Sequence, residues 1–211
     1  MSDHDSLQFR RLGLLSSRRI TLSPGDADTA EAQRWIAVAM SMKERKIMIT
    51  RRIEMERFSV VSSKPFQAVL AALNAAVGHP DMAEFARAAK AARTLADLED
   101  VVRRGLGKTG LMMFMEFDHG AILRKETGLD SPKIVRVVIG NPLIMKEMAK
   151  HVPDAGSYAP VTILLDERPD GVHLTYDKMA SFLAPYRNAE ALTVARDLDS
   201  KIERLLLESV Q

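Results

Sequence analysis

The chain has 211 residues, 46% of them hydrophobic and 27% charged, with 30 basic residues against 28 acidic ones. A chain of this length buries a self-sufficient core, and so ordinary a composition excludes a fibrous or wholly disordered architecture. The net charge of +2, with both signs interspersed, gives no support to nucleic-acid binding; the absence of cysteine excludes disulfides, thiolate zinc sites, iron–sulfur clusters and a thiol nucleophile.

Residues 1–25 mix Ser, Arg, Asp and scattered Leu without a sustained period and end in Ser23-Pro24-Gly25, which reads as an arm. Trp35, Val38, Met42 and Ile49 fall near helical spacing and predict a helix over about 28–49. Residues 1–52 are therefore expected to form an N-terminal arm and helix, and 53–211 the main domain. The first residues are polar and acidic, and no apolar run approaches about 18 residues. No membrane partner is expected, and the cytoplasm is the expected location.

The main domain opens with an alternating strand over Arg57–Val61. Ser62-Ser63-Lys64-Pro65 then supplies a helix cap and an early proline. Phe66, Val69, Leu70, Leu73 and Val77 form the stripe of a helix lying on a core, and Gly78 and Pro80 stop it. Residues 81–93 predict an alanine-rich helix anchored only by Phe85. Thr94 to Asp97 resembles a capping box, followed by the stripe Leu95, Leu98, Val101, Val102, Leu106. Leu111–Phe117 is nearly all apolar and reads as an interior strand, its methionines filling a core. Ile134–Ile139 is a second β-branched strand.

Asn141-Pro142 places a cap before a first-turn proline, predicting a short helix that ends near Pro153. Pro160–Asp166, the turn Arg168-Pro169-Asp170-Gly171 and Val172–Tyr176 spell a hairpin. Lys178–Tyr186 is a short helix. Asn188 caps the last one, whose stripe is Ala191, Ala195, Leu198, Ile202, Leu205 and Leu206, and whose wet face is Arg196, Ser200, Glu203 and Arg204.

Phe117-Asp118-His119-Gly120, Ile139-Gly140-Asn141-Pro142, Ala159-Pro160-Val161-Thr162 and Leu174-Thr175-Tyr176-Asp177 follow one another in order. On these motifs the chain from about Arg57 onward resembles the domain-of-unknown-function family numbered 302. The resemblance implies an α+β fold, β-α-β-β-β-β-α, like half of the TATA-binding-protein fold. That means an antiparallel sheet with helices packed on one face, here with an N-terminal helical extension, in members that look dimeric. It implies no DNA binding, because a fold does not carry its function with it.

Gly105-Leu106-Gly107-Lys108-Thr109-Gly110 ends like a phosphate-binding loop, but the upstream glycine that motif needs falls at Val102. It also joins a helix to a strand, the reverse of the order such a loop requires. The other histidines, His4, His79, His151 and His173, lack the spacing that brings two imidazoles together, so no metal site and no cofactor are expected. Asp118 beside His119 could form an acid/base pair, although adjacent strand residues point opposite ways; equally, Asp118 could cap the helix that follows. Asn141 caps a helix whose free N–H groups could hold an anion, and Tyr176 ends the hairpin. If Asp118, His119, Asn141 and Tyr176 converge, they form a pocket for a small polar or anionic ligand. The favoured reading is a homodimeric ligand-binding module. The alternatives are an interaction or scaffold protein docking through the N-terminal helix, and an acid/base enzyme using Asp118 and His119.

Overall fold

The computed structural model describes residue 48 and residues 50–211. The arm and nearly all of the helix expected before residue 52, Trp35 included, lie outside the described residues. Among the latter, no helix is long and apolar enough to cross a membrane.

The domain is α+β, built on one antiparallel sheet of five strands: β1 (Arg57–Ser62), β2 (Met112–Asp118), β3 (Ile134–Gly140), β4 (Val161–Arg168) and β5 (Gly171–Asp177). Their order across the sheet is β1-β5-β4-β3-β2. The hairpin β4–β5 turns tightly, Arg168 pairing with Gly171, whose φ of 138° only glycine adopts without strain.

Between β1 and β2 lie helices α1 (Phe66–Ala76), α2 (Met82–Ala91) and α3 (Leu95–Gly105). A short α4 (Gly120–Thr127) joins β2 to β3, and α5 (Pro142–Ala149) with a 3-10 turn joins β3 to β4. After β5 come the one-turn α6 (Met179–Leu183) and the long α7 (Ala189–Ser209).

Register assigns the two faces of the sheet. Val135, Val137, Ile139, Ile163, Leu165, Leu174 and Tyr176 belong to one buried cluster with Phe66, Val69 and Leu73 of α1 and Ala195, Leu198, Ile202 and Leu206 of α7. On the opposite face Ser59, Val61, Met115, Phe117 and Arg136 are exposed, and Val138, Thr162, Leu164 and Thr175 half-buried.

Several caps follow the sequence. Thr94 and Asp97 form a reciprocal capping box on α3, Asp81 caps α2, and Asn188 accepts from the Ala191 N–H at 2.8 Å to start α7.

Three local expectations are corrected. No serine caps α1: the cap position is Pro65 itself, and the Ser62 hydroxyl accepts from the Lys64 N–H instead. Leu95 is exposed, because the buried positions of α3 are Val102 and Gly105. The third concerns β2, which is an edge strand and not an interior one. Met112 and Met113 are buried, yet Met115 and Phe117 are 49% and 38% exposed. Its first residues are covered because Gly78 bridges to Met112 and accepts from the Met113 N–H at 2.7 Å, closing the outer edge there and leaving the rest open.

Candidate functional site

The sheet separates the four residues that the sequence singled out. Asp118 pairs with Val135 and Met112 with Gly140, so Asp118 and Asn141 stand at opposite ends of the β2–β3 pair, about 20 Å apart at the rise of a strand. Tyr176 lies in the middle of the sheet, opposite Ile163, with its side chain in the core. No single pocket holds them.

Asp118 ends β2 and ties it to α4. Its carboxylate accepts from Arg124 at 2.5 Å and from the Ala121 N–H at 3.0 Å. The Arg124 guanidinium is the largest of the influences that hold Asp118 below the usual carboxylate range, which makes it a poor base. No hydrogen bond joins it to His119, whose exposed ring stacks on Phe117 with centroids 5.8 Å apart. The Asp118 carboxylate thus satisfies an N–H in the first turn of α4 from the position before the N-cap, which is His119 and not Asp118 as one of the two readings had it.

Both ends of the Asn141 side-chain amide are engaged. Its amide oxygen accepts from the Leu143 N–H at 2.8 Å, and its amide nitrogen donates to the Gly110 carbonyl at 3.0 Å. Beside it opens a cavity of about 130 Å3 lined by Phe114, Gly140, Pro142, Ile144, Met145, Met148, Pro160 and Leu198. Phe114 reaches this cavity because it is the extra residue of a bulge in β2, between Met113 and Met115. With both ends of the Asn141 amide bonded to backbone, the cavity presents an almost wholly apolar wall.

Tyr176 leads to a residue that sequence reasoning missed. Its hydroxyl donates to Asp199 of α7 at 2.7 Å, and Asp199 also accepts from the Met179 and Ala180 N–H groups that open α6, at 2.7 and 3.1 Å. Burial raises the Asp199 carboxyl above its usual range, outweighing these hydrogen bonds, which pull it down. Burial, and then the Asp199 charge, also push the Tyr176 phenol upward. Asp199 borders a polar cleft of about 770 Å3 that includes Lys178, Arg196 and Glu203. Lys178 bridges Glu203 at 3.0 Å and Glu56 at 3.3 Å. One signal could have found Asp199: it falls four residues after Ala195 and three before Ile202, a carboxylate placed on an apolar stripe.

Among the described residues no group of three or more His, Asp or Glu side chains is placed to hold a metal ion.

Comparison with known proteins agrees with the topology. No curated protein matches the chain. Among solved structures, the crystal structure of an uncharacterised conserved protein, DUF302, from Bacillus stearothermophilus is similar at 14% identity. The similarity covers 72% of this chain and 97% of that one, with a TM-score of 0.51, which is a likeness of fold. The family described as Domain of unknown function DUF302 matches residues 87–208, more than half of the sequence; β1 and α1, which complete the sheet and its core, precede that match. The chain belongs to the DUF302 family.

Proposed function

We propose that this domain is a small-ligand-binding module and that its ligand inserts an apolar group into the cavity beside Asn141. The observation that carries this reading is the cavity itself. At about 130 Å3 this open apolar pocket has nearly the volume, about 150 Å3, of an enclosed protein cavity that admits a benzene ring. Of the four residues picked out in the sequence, only Asn141 lines it, and Asn141 acts by fixing the wall. The cap on α5 and the bond to Gly110 hold two borders of the cavity in place before anything binds, which reduces the ordering cost of association. The ligand chemistry is accordingly apolar, unlike the polar or anionic ligand expected from the sequence.

The test is a thermal-shift and calorimetric titration with benzene, toluene, cyclohexane and short alkyl alcohols. A ligand at about one hundred times its Kd should add about 2.7 kcal/mol to the stability. Ile144→Phe, which fills the space, should abolish the shift. Should no probe raise the melting temperature, or should the filled variant respond like the parent, the reading is wrong.

We further infer that the module works as a homodimer. Supporting this, Met115, Phe117, Ile122, Leu123 and Leu129 are all exposed within one short stretch of chain, at the free end of β2, on α4 and just after it. A second copy, related by a two-fold axis, would bring the same stretch and the same strand edge to meet themselves. Sedimentation equilibrium of the full chain should give a dimer, and Phe117→Glu with Ile122→Glu should give a monomer. A parent chain that remains monomeric at high micromolar concentration would remove this reading.

A further inference from the structure

The segment Gly105–Gly110 was set aside as a phosphate loop because no helix starts after it. The structure supports that exclusion and also shows what the segment faces. It packs against α7, and between them lies a second cleft, of about 590 Å3, lined by Lys108, Thr109, Ser200, Lys201 and Arg204 together with Asp197 and Glu208.

The loop is held firmly despite its three glycines. Thr109 bonds the Ala76 carbonyl through both its N–H and its hydroxyl, Gly107 donates to Leu111, and Asn141 donates to Gly110. A Cβ on Gly107 would stand 2.3 Å from the Val77 carbonyl carbon, so the loop rests directly on the end of α1. Lys108 thus projects from a fixed platform.

The charges around the cleft are unspent. Among the described residues Lys108, Lys201 and Arg204 form no ion pair, although Asp197 and Glu208 lie one helical turn from Lys201 and Arg204 on α7. The reason is plain for Lys201. Its ammonium turns to the Thr109 carbonyl, donating at 3.0 Å, and this uses one of its three N–H groups. Two donors remain for the cleft. Three cations, one of them anchored, face two carboxylates, Asp197 and Glu208, and leave the concave wall a surplus of one positive charge, to which the Ser200 hydroxyl can add a donor, the Thr109 hydroxyl being committed to the Ala76 carbonyl.

We propose that this cleft binds the phosphate group of a small phosphorylated ligand, gripped by the side chains of Lys108, Lys201 and Arg204 and not by a helix N-terminus. The site is separate from the apolar cavity and stands or falls independently of it. Asp197 and Glu208, which line the same cleft, disfavour bulk polyanions, and the ligand's uncharged part lies toward them.

The full chain would be titrated calorimetrically with inorganic phosphate, pyrophosphate and glycerol 3-phosphate, at ionic strength held constant with sodium chloride. The expected result is saturable one-to-one binding of at least one probe. Tighter binding of glycerol 3-phosphate than of inorganic phosphate identifies a phosphomonoester; the reverse order identifies phosphate itself. Lys108→Ala with Arg204→Gln, both exposed positions, should weaken binding by about tenfold or more. Lys90→Ala with Lys125→Ala, an equal change of charge elsewhere on the surface, should leave it unchanged. Lys108→Arg should restore most of the affinity lost in Lys108→Ala, which a folding defect would not allow. Absence of saturable binding by all three probes overturns the proposal, as does equal weakening by the two double variants.

Discussion

The Tyr176 hydroxyl donates to Asp199 at 2.7 Å, linking the centre of the sheet to α7 through two residues that are only 1% and 5% exposed. Because Asp199 also receives the first two N–H groups of α6, one carboxylate fixes a strand, a one-turn helix and the long C-terminal helix together. Replacing it leaves the Ala180 N–H without its acceptor and the Met179 N–H with only its longer bond to the Tyr176 hydroxyl, at 3.1 Å. Asp199→Ala should cost about 3 kcal/mol in urea denaturation, and Tyr176→Phe, which removes the bond to Asp199 and the longer one from the Met179 N–H, about 1 kcal/mol. The double variant should fall short of the sum, and additivity within error would show that the two side chains are not coupled.

The same carboxylate gives the stability a pH dependence of known sign. Burial raises Asp199 above its ordinary value of 3.8, so the folded state holds the proton more tightly than the unfolded chain does. Its contribution is complete below the ordinary value and is lost as pH rises through the raised one. The stability of the parent relative to Asp199→Asn should therefore decline on going from about pH 3 to about pH 7. Asp118 behaves oppositely: lowered by Arg124, it contributes above 3.8, and that contribution is lost as pH falls through its folded value. A relative stability of the parent over Asp199→Asn that grew with pH would contradict the burial effect.

Asn141 performs two tasks that substitution can separate. Asn141→Ala removes the cap of α5 and the donor to Gly110 and should cost about 2 kcal/mol. Asn141→Asp keeps the cap oxygen and loses the donor, and should retain part of that stability at neutral pH. Equal losses in the two variants would show that the bond to Gly110 accounts for the whole effect.

Gly78 and Gly107 press the end of α1 against the loop after α3. A Cβ on Gly78 would lie 2.0 Å from the Gly105 carbonyl oxygen, and one on Gly107 would lie 2.4 Å from the Gly78 nitrogen. Both obstacles are backbone atoms and cannot rotate away. Gly78→Ala and Gly107→Ala should each destabilise by about 2–3 kcal/mol, whereas Gly156→Ala, which meets nothing within 4 Å, should change stability by less than about 0.5 kcal/mol. Comparable melting temperatures for all three variants would mean that the contact relaxes.

Much of the fold could be read from the sequence because its signals are local. A cap needs only its own helix start, so Thr94 with Asp97, Asn141 and Asn188 declared α3, α5 and α7 directly. The stripe on α7 needs only a 3.6-residue period, and every residue assigned to it is buried. The turn Arg168–Gly171 needs only the dihedral preferences of proline and glycine, and it fixed the β4–β5 hairpin. Where the local signal was ambiguous, the reading went astray: Ser62 and Ser63 offered a cap that Pro65 pre-empted, and the thioethers of Met112–Met115 suited an edge covered by Gly78 as well as they suited an interior strand.

By itself, then, the sequence determined the elements, the α+β class and the kinship with the DUF302 family, all of which rest on short-range periodicity and on ordered motifs. Only the tertiary structure decided which of the singled-out residues share a neighbourhood. Strand order and register are set by how whole faces pack, and they placed Asp118 and Asn141 at opposite ends of the sheet while bringing Tyr176 to Asp199, 23 positions further on. A carboxylate on the apolar stripe of α7 is visible in the sequence, but what Asp199 does there, accepting from Tyr176 and from the first N–H groups of α6, belongs to the packed assembly and to no segment of the chain alone.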